Sequence, residues 1–320
     1  MNVNTKRLKP YFLNTLLTIT CCAAYGLIQD IITIPLLLLI SVLLGVVFYR
    51  EHFGLGIANS IVVLTIFTLF FGVVSALVNG VPLILLALAL ALGVRLKMPL
   101  KVLLLLCAGL FMVDLMVSME LLEYFSNGEL NISAVMLESG TMVREMMMEQ
   151  YSDPEMLAMV EEAVRMSVDM AIMLAPGMFI IISTILAYVL IVVYKRVMNR
   201  QQVDTSFLIP FEQFGGDRVI AVLYVILFIV LTAAPMGEVF SSAALNVFIV
   251  LSFIFAVFGA AVFDYKFKQK GMKKILRRLL IFGALTLSGT FMLIPLFACI
   301  VFGLLDSFFD YRHLHTKEEQ

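Results

Sequence analysis

Nine apolar runs mark out the chain, at roughly 12–28, 31–48, 57–78, 82–94, 100–119, 171–194, 218–235, 239–262 and 279–305. About 20 consecutive apolar residues cross a bilayer as a helix. The pattern therefore predicts an all-α, polytopic transmembrane bundle of about eight to ten membrane helices. The fourth run is short, so it is a half-helix or a span lengthened by its flanks. The ninth run contains Gly283, Gly289 and Pro295. It reads as one kinked span or as two legs turning near "LSGT", residues 287–290.

Between the runs lie three polar segments of different character, giving an organisation of spans 1–119, an acidic segment 120–170, and spans 171–320 with a linker at 195–217 and a basic loop at 264–278. In 120–170, Asp153-Pro154-Glu155 is a helix start: an N-cap acid, proline at the first helical position, an acid in the first turn. Leu157, Val160, Val164 and Val168 follow at helical spacing, which predicts an amphipathic helix leading into the sixth span. Eleven methionines fall between Met136 and Met178, among them Met146, Met147 and Met148. Thioethers bind soft metals such as copper, but no His or Cys accompanies these; filling of an irregular apolar face at the membrane boundary is the favoured reading.

Composition agrees with the pattern. The 320 residues are 62% hydrophobic and 14% charged, with mean hydropathy +1.04, 26 Phe, 20 Met and no Trp. The net charge of −1 conceals an asymmetry: residues 120–169 carry eleven acids and two bases, hence −9, and the remainder carries +8. Positive charge marks the cytoplasmic side. With Lys6, Arg7 and Lys9 inside, the cations Arg50, Arg95, Lys97, Lys101, Lys195, Arg196, Arg200 and Lys266–Arg278 also fall inside, and the acidic segment falls outside. The N-terminus is thus expected to be cytoplasmic, in a multi-pass protein of the plasma (inner) membrane. The first run has a basic start but no small-residue cleavage site, and reads as a retained span. The cysteines, Cys21, Cys22, Cys107 and Cys299, sit in apolar runs and suit neither disulfides nor zinc.

Candidate chemistry is sparse. No H-E-x-x-H, G-x-S-x-G or phosphate-binding Walker loop occurs, and the three histidines, His52, His313 and His315, lie near membrane edges. The expectation is a protein that is not an enzyme, with no catalytic residues, metal or cofactor. Asp114, in "LFMVDLMV", lies near the middle of the fifth span. An acid there costs about 2.5–3.5 kcal/mol on insertion scales, so it should face the interior as a ligand-binding or proton-coupling group, or bond a neighbouring helix. In the linker "VDTSFLIPFEQFGGDR", residues 203–218, Pro210, Phe211 and Phe214 are candidates for docking a partner, against the simpler reading of interfacial anchors. The seven bases of 264–278 suit anionic lipid rather than nucleic acid.

The chain closes with "GLLDSFFDYRHLH", residues 303–315. Acids at a helix C-terminus oppose the helix dipole. If the ninth run is a hairpin, Asp306 and Asp310 return beside the basic loop, which would offset that penalty, with Arg312 reaching the headgroups. A structural latch of Asp306, Asp310 and Arg312 is therefore expected.

Three stretches resemble the YybS-like family of uncharacterised bacterial membrane proteins: "IPFEQF" (209–214), "AVFGAAVFDYKFKQKG" (256–271) and "VFGLLDSFFDYRHL" (301–314). The first six spans also resemble the membrane fold of vitamin-uptake substrate-binding components and of the rod-shape protein MreD. The likeness rests on Pro35, "YREHFGLGIANS" (49–60) and Gly-rich spans three and four. Where uptake components show Ala-x-x-x-Ala in span one, this chain has Thr20 with Ala24 or Cys22 with Gly26. The resemblance implies binding or helping to transport a small solute, with a membrane or ATPase partner protein. The alternative is a non-transporting scaffold or regulatory partner in the cell envelope.

Overall fold

The computed structural model describes residues 14–22, 24, 33–50, 53–125, 132–148, 154–233, 238–286 and 293–312. After a helical stretch at 14–22 come α1 (Thr33–Arg50), α2 (Phe53–Ser75), a π turn (Ala76–Gly80), α3 (Val81–Arg95), α4 (Leu100–Phe125), α5 (Ile132–Met148), α6 (Pro154–Arg200), a 3-10 turn (Phe211–Gln213), α7 (Arg218–Ala233), α8 (Glu238–Gln269), α9 (Lys274–Thr286) and α10 (Leu293–Phe309). The described residues contain no strand. The all-α membrane bundle expected from the apolar runs is thus what the chain forms. Among the described residues, five helical segments are long and apolar enough to cross a membrane: Phe53–Val74, Ala76–Arg95, Leu100–Leu121, Ala158–Arg200 and Ser241–Gln269. Ile34–Arg50, Arg218–Ala233 and Ile294–Phe309 are shorter apolar helices. The fourth run reaches spanning length because the π turn extends it backwards to Ala76. Lys6, Arg7, Lys9, His52, Asp153, residues 287–290, His313 and His315 lie outside the described residues.

Large apolar side chains such as Leu69, Leu105, Val113, Ile294 and Phe297 point outward. In water such a surface would be a liability; around a membrane bundle it is the lipid-facing belt. The described cysteines are free thiols, Cys22, Cys107 and Cys299 being buried.

The helices pack as two compact units. One comprises Met1–Met142 and Ile182–Leu208. Its centre is α1 against α3, with Ile40, Leu44, Leu86 and Leu90 fully buried. The Arg95 guanidinium donates to the carbonyls of Phe48 (2.7 Å) and Tyr49 (2.9 Å), filling acceptors that the end of α1 leaves open. Tyr194, fully buried on α6, donates to the Gly45 carbonyl at 3.2 Å.

The other unit comprises Val143–Ile181 and Ile209–Gln320. Its backbone is α8, against which α10, α7 and α9 pack. Gly259 and Gly303 bring α8 and α10 together: a Cβ on Gly259 would overlap the Cys299 carbonyl, and one on Gly303 the Phe255 carbonyl. Small residues permit this approach in membrane bundles, where dispersion rather than water exclusion drives helix contact.

The ninth run is divided between α9 and α10, with the connection at 287–292 outside the described residues. Both free ends meet the C-terminal end of α8. Arg277, at the start of α9, donates to the Asp264 carbonyl at 2.9 Å. Arg312, just past α10, donates to the carbonyl of Glu212, whose carboxylate holds Lys268 of α8. The run is therefore two legs that leave from and return to one end, as the charge pattern favoured.

Candidate functional site

The closing motif builds a buried polar knot. Asp310 takes a left-handed conformation (φ 45°) and its N–H bonds the Asp306 carbonyl at 2.9 Å, which ends α10. The chain then turns back, and Arg312 reaches Asp306 through Nε (3.0 Å) and Nη2 (2.6 Å) on the same oxygen. Nη1 and Nη2 go on to the carbonyls of Glu212 (2.9 Å) and Phe214 (2.5 Å). Asp306 is 3% exposed and Arg312 4%.

This corrects two details of the expected latch. The Asp306 carboxylate pairs with Arg312 rather than with the basic loop, and Arg312 is turned inward instead of reaching headgroups. The reason is the turn at Asp310, which points the chain back over α10. What Arg312 fastens is the linker. Phe308 lies against the cluster of Ala221, Tyr224 and Phe255, while Phe309 and Tyr311 are exposed with ring centroids 5.7 Å apart.

The linker residues sit on that knot. Phe211 packs on Ala256, Ala260 and Cys299, and its ring is 5.5 Å from that of Phe214. Pro210 is exposed. Glu212 accepts a bond from Lys268 Nζ at 2.8 Å. Partial burial opposes ionisation of Glu212, but the Lys268 bond and charge outweigh it and hold the carboxyl below the usual carboxylate range.

Two further groups were not singled out from the sequence. One is the buried pair Asp264–Arg277, Oδ1 to Nε at 3.4 Å. The only trace of it in the sequence is an acid, Asp264, at the end of an apolar run, 13 positions before Arg277. The other is Asn246 on α8. Its Oδ1 accepts from the Gly177 N–H (2.7 Å) and its Nδ2 donates to the Met173 carbonyl (2.8 Å). An α-helix pairs those same two groups with each other. Pro176, which lacks an N–H, stands beside them within α6. The amide of Asn246 thus bridges α6 where proline weakens its ladder, and Gly177 leaves room, since a Cβ there would lie 2.8 Å from Oδ1. Asn246→Leu is expected to lower stability by about 1 kcal/mol, read as a lower Tm of the detergent-purified protein; an unchanged Tm would show the bridge to be idle.

Asp114 lies on the inward stripe of α4. Leu100, Leu103, Cys107 and Phe111 are buried at helical spacing, and Asp114 and Ser118 continue that line where burial loosens. At 1.5 Å per residue Asp114 stands about 21 Å along the helix from Leu100. The exposed arc of the same helix, Val102, Leu105, Val113 and Met116, is apolar. The methionines Met142, Met146, Met159, Met166 and Met170 are exposed on α5 and α6, and Arg144 pairs with Glu161 at 3.5 Å. Among the described residues, no group of three or more His, Cys, Asp or Glu side chains is placed to hold a metal ion.

No curated protein and no solved structure matches the chain. A family model described as "Predicted membrane protein (DUF2232)" matches residues 16–307. That span runs from within the helical stretch at 14–22 to Ser307, one residue past Asp306, and the chain belongs to this DUF2232 family of predicted membrane proteins.

Proposed function

We propose that this integral membrane protein binds, or helps transport, a small solute through the unit that holds Asp114. The observation that carries the reading is the placement of Asp114: a carboxylate on the packed face of an otherwise apolar span, at the point where that face begins to open. A carboxylate in a span is costly unless a partner, water or a ligand meets it. A solute with a cationic or donor group on an apolar body would suit it, since few other polar groups line the spans. The resemblance of the first six spans to uptake components supports this role and with it an ATPase or membrane partner, and the distribution of cations supports a cytoplasmic N-terminus in the plasma membrane.

The test is a thermal-shift panel on the full chain in lipid nanodiscs, using aliphatic and aromatic amines with their neutral analogues. At least one amine is expected to raise the Tm of the wild type, and Asp114→Asn is expected to abolish the shift while keeping the unliganded Tm. No shift with any amine, or the same shift in Asp114→Asn, would overturn the reading. The second reading, an envelope scaffold, rests on the exposed methionines of α5 and α6, an adaptable docking surface. It predicts that an envelope protein is recovered with the chain after in-cell cross-linking; recovery of the chain alone counts against it.

A further inference from the structure

We propose that α9 and the turn before it form a binding site for an anionic phospholipid, with the acyl chains along one arc of the helix and the phosphate on its basic edge. The inference is independent of the solute reading. α9 is described over 13 residues, Lys274–Thr286, about 20 Å of helix beginning at the basic turn.

Among the described residues, the helix is anchored through Arg277 and Ile281. Arg277 is buried, facing Asp264 through Nε at 3.4 Å and bonding its carbonyl at 2.9 Å. Ile281, one turn on, packs against the cluster of Ala256, Ala260 and Cys299. This fixes which way the helix is rotated. At 100° per residue, Ile275 and Leu279 fall opposite Arg277 and Ile281, and they are the most exposed residues of the arc, at 76% and 62%. Leu276 and Leu280 extend the same arc and are exposed as well. Lys274 and Arg278, an i, i+4 pair, border it on the other side, and both are exposed.

The turn adds charge at the same end. Gly271 adopts φ +74°, which closes α8 onto α9 and places Lys270 and Lys273, both exposed, next to the start of α9. The acids of this region are engaged: Asp264 with Arg277 and Glu212 with Lys268. Among the described residues of α9 and its turn, what remains outward is cationic beside apolar. A soluble partner would meet only half of that surface chemistry; an anionic lipid meets both halves. The division of labour is between two adjacent arginines, Arg277 held inward by the protein and Arg278 left outward for the headgroup.

The probe is phosphatidylglycerol against phosphatidylcholine. The full chain is purified in a zwitterionic detergent, mixed with equal amounts of the two lipids, and the co-retained lipid is measured by native mass spectrometry. The wild type is expected to retain phosphatidylglycerol preferentially. The variant Lys274→Gln/Arg278→Gln is expected to lose that preference by about fivefold for each cation removed. Lys97→Gln/Lys101→Gln, which removes the same charge near the start of α4, is expected to keep it within twofold. Equal loss in both variants would overturn the proposal in favour of undirected positive charge, as would absence of a preference in the wild type. Unchanged Tm in both variants secures the comparison, because all four side chains are exposed.

Discussion

Arg312→Ala is expected to lower the amount of folded protein in the membrane severely, with a loss of about 3–5 kcal/mol in stability. The guanidinium is buried and does three things at once: it balances Asp306, and it fills the carbonyls of Glu212 and Phe214. Truncation leaves the Asp306 carboxylate buried without its countercharge, and Oδ1 of that carboxylate already lacks a hydrogen-bond partner. Removing one member of a buried pair costs far more than removing both. The double variant Asp306→Asn/Arg312→Met should therefore recover a large part of the loss. Arg312→Lys should not, because an ammonium cannot span the carboxylate and two carbonyls in the planar fork that Arg offers. Membrane fraction by quantitative blot and Tm in detergent read both effects. Wild-type levels and Tm in Arg312→Ala would refute the latch; such a result combined with lost function would make the knot a working site instead.

The second large effect is expected at the crossing of α8 and α10. Gly259→Ala and Gly303→Ala each place a methyl group on a backbone carbonyl of the facing helix. Overpacking usually costs about 1–3 kcal/mol, and here the obstructing atoms belong to helix backbone, which cannot rotate aside. The helices must separate, weakening the packing of Ala256 and Ala260 on α8 against Leu296, Cys299 and Ile300 on α10. A loss at or above the upper end of that range is expected for Gly303, which meets both the Phe255 carbonyl and the Gly259 nitrogen. By contrast Gly109→Ala, where a Cβ meets open space, should leave Tm unchanged or raise it slightly. Equal behaviour of Gly109→Ala and Gly303→Ala would contradict the packing account.

The two predictions differ in how visible their causes are in the sequence. That "GLLDSFFDYR" ends a helix at a charged boundary follows from the one-dimensional pattern: an apolar run stops at Leu305, and acids, aromatics and a cation follow. That Arg312 holds Glu212 and Phe214, 100 and 98 positions earlier, does not. Nor does the pattern distinguish Gly303 from Gly109, each a glycine within an apolar helix. Asn246 is legible only as a lone amide in an apolar run; its insertion between Gly177 and Met173 depends on the packing of α8 against α6.

The sequence by itself determined the membrane bundle, the apolar stretches from which its helices are built, the helix beginning at Pro154 and the presence of a carboxylate in the fifth apolar run. These follow from hydrophobicity and local capping, which act over a turn or a span of chain. Only the tertiary structure decided the division of the ninth run into two legs, the inward choice of Asp306 over Asp310 as partner for Arg312, the rotation of α9 about Arg277, and the placement of Asp114 on the packed face of α4. Each of these depends on which distant helix supplies the facing atoms. In an apolar span nearly every face suits lipid, so periodicity carries little information about which face turns inward. Close packing at small residues and the few buried polar groups settle it, by making one arrangement satisfy them and the others not.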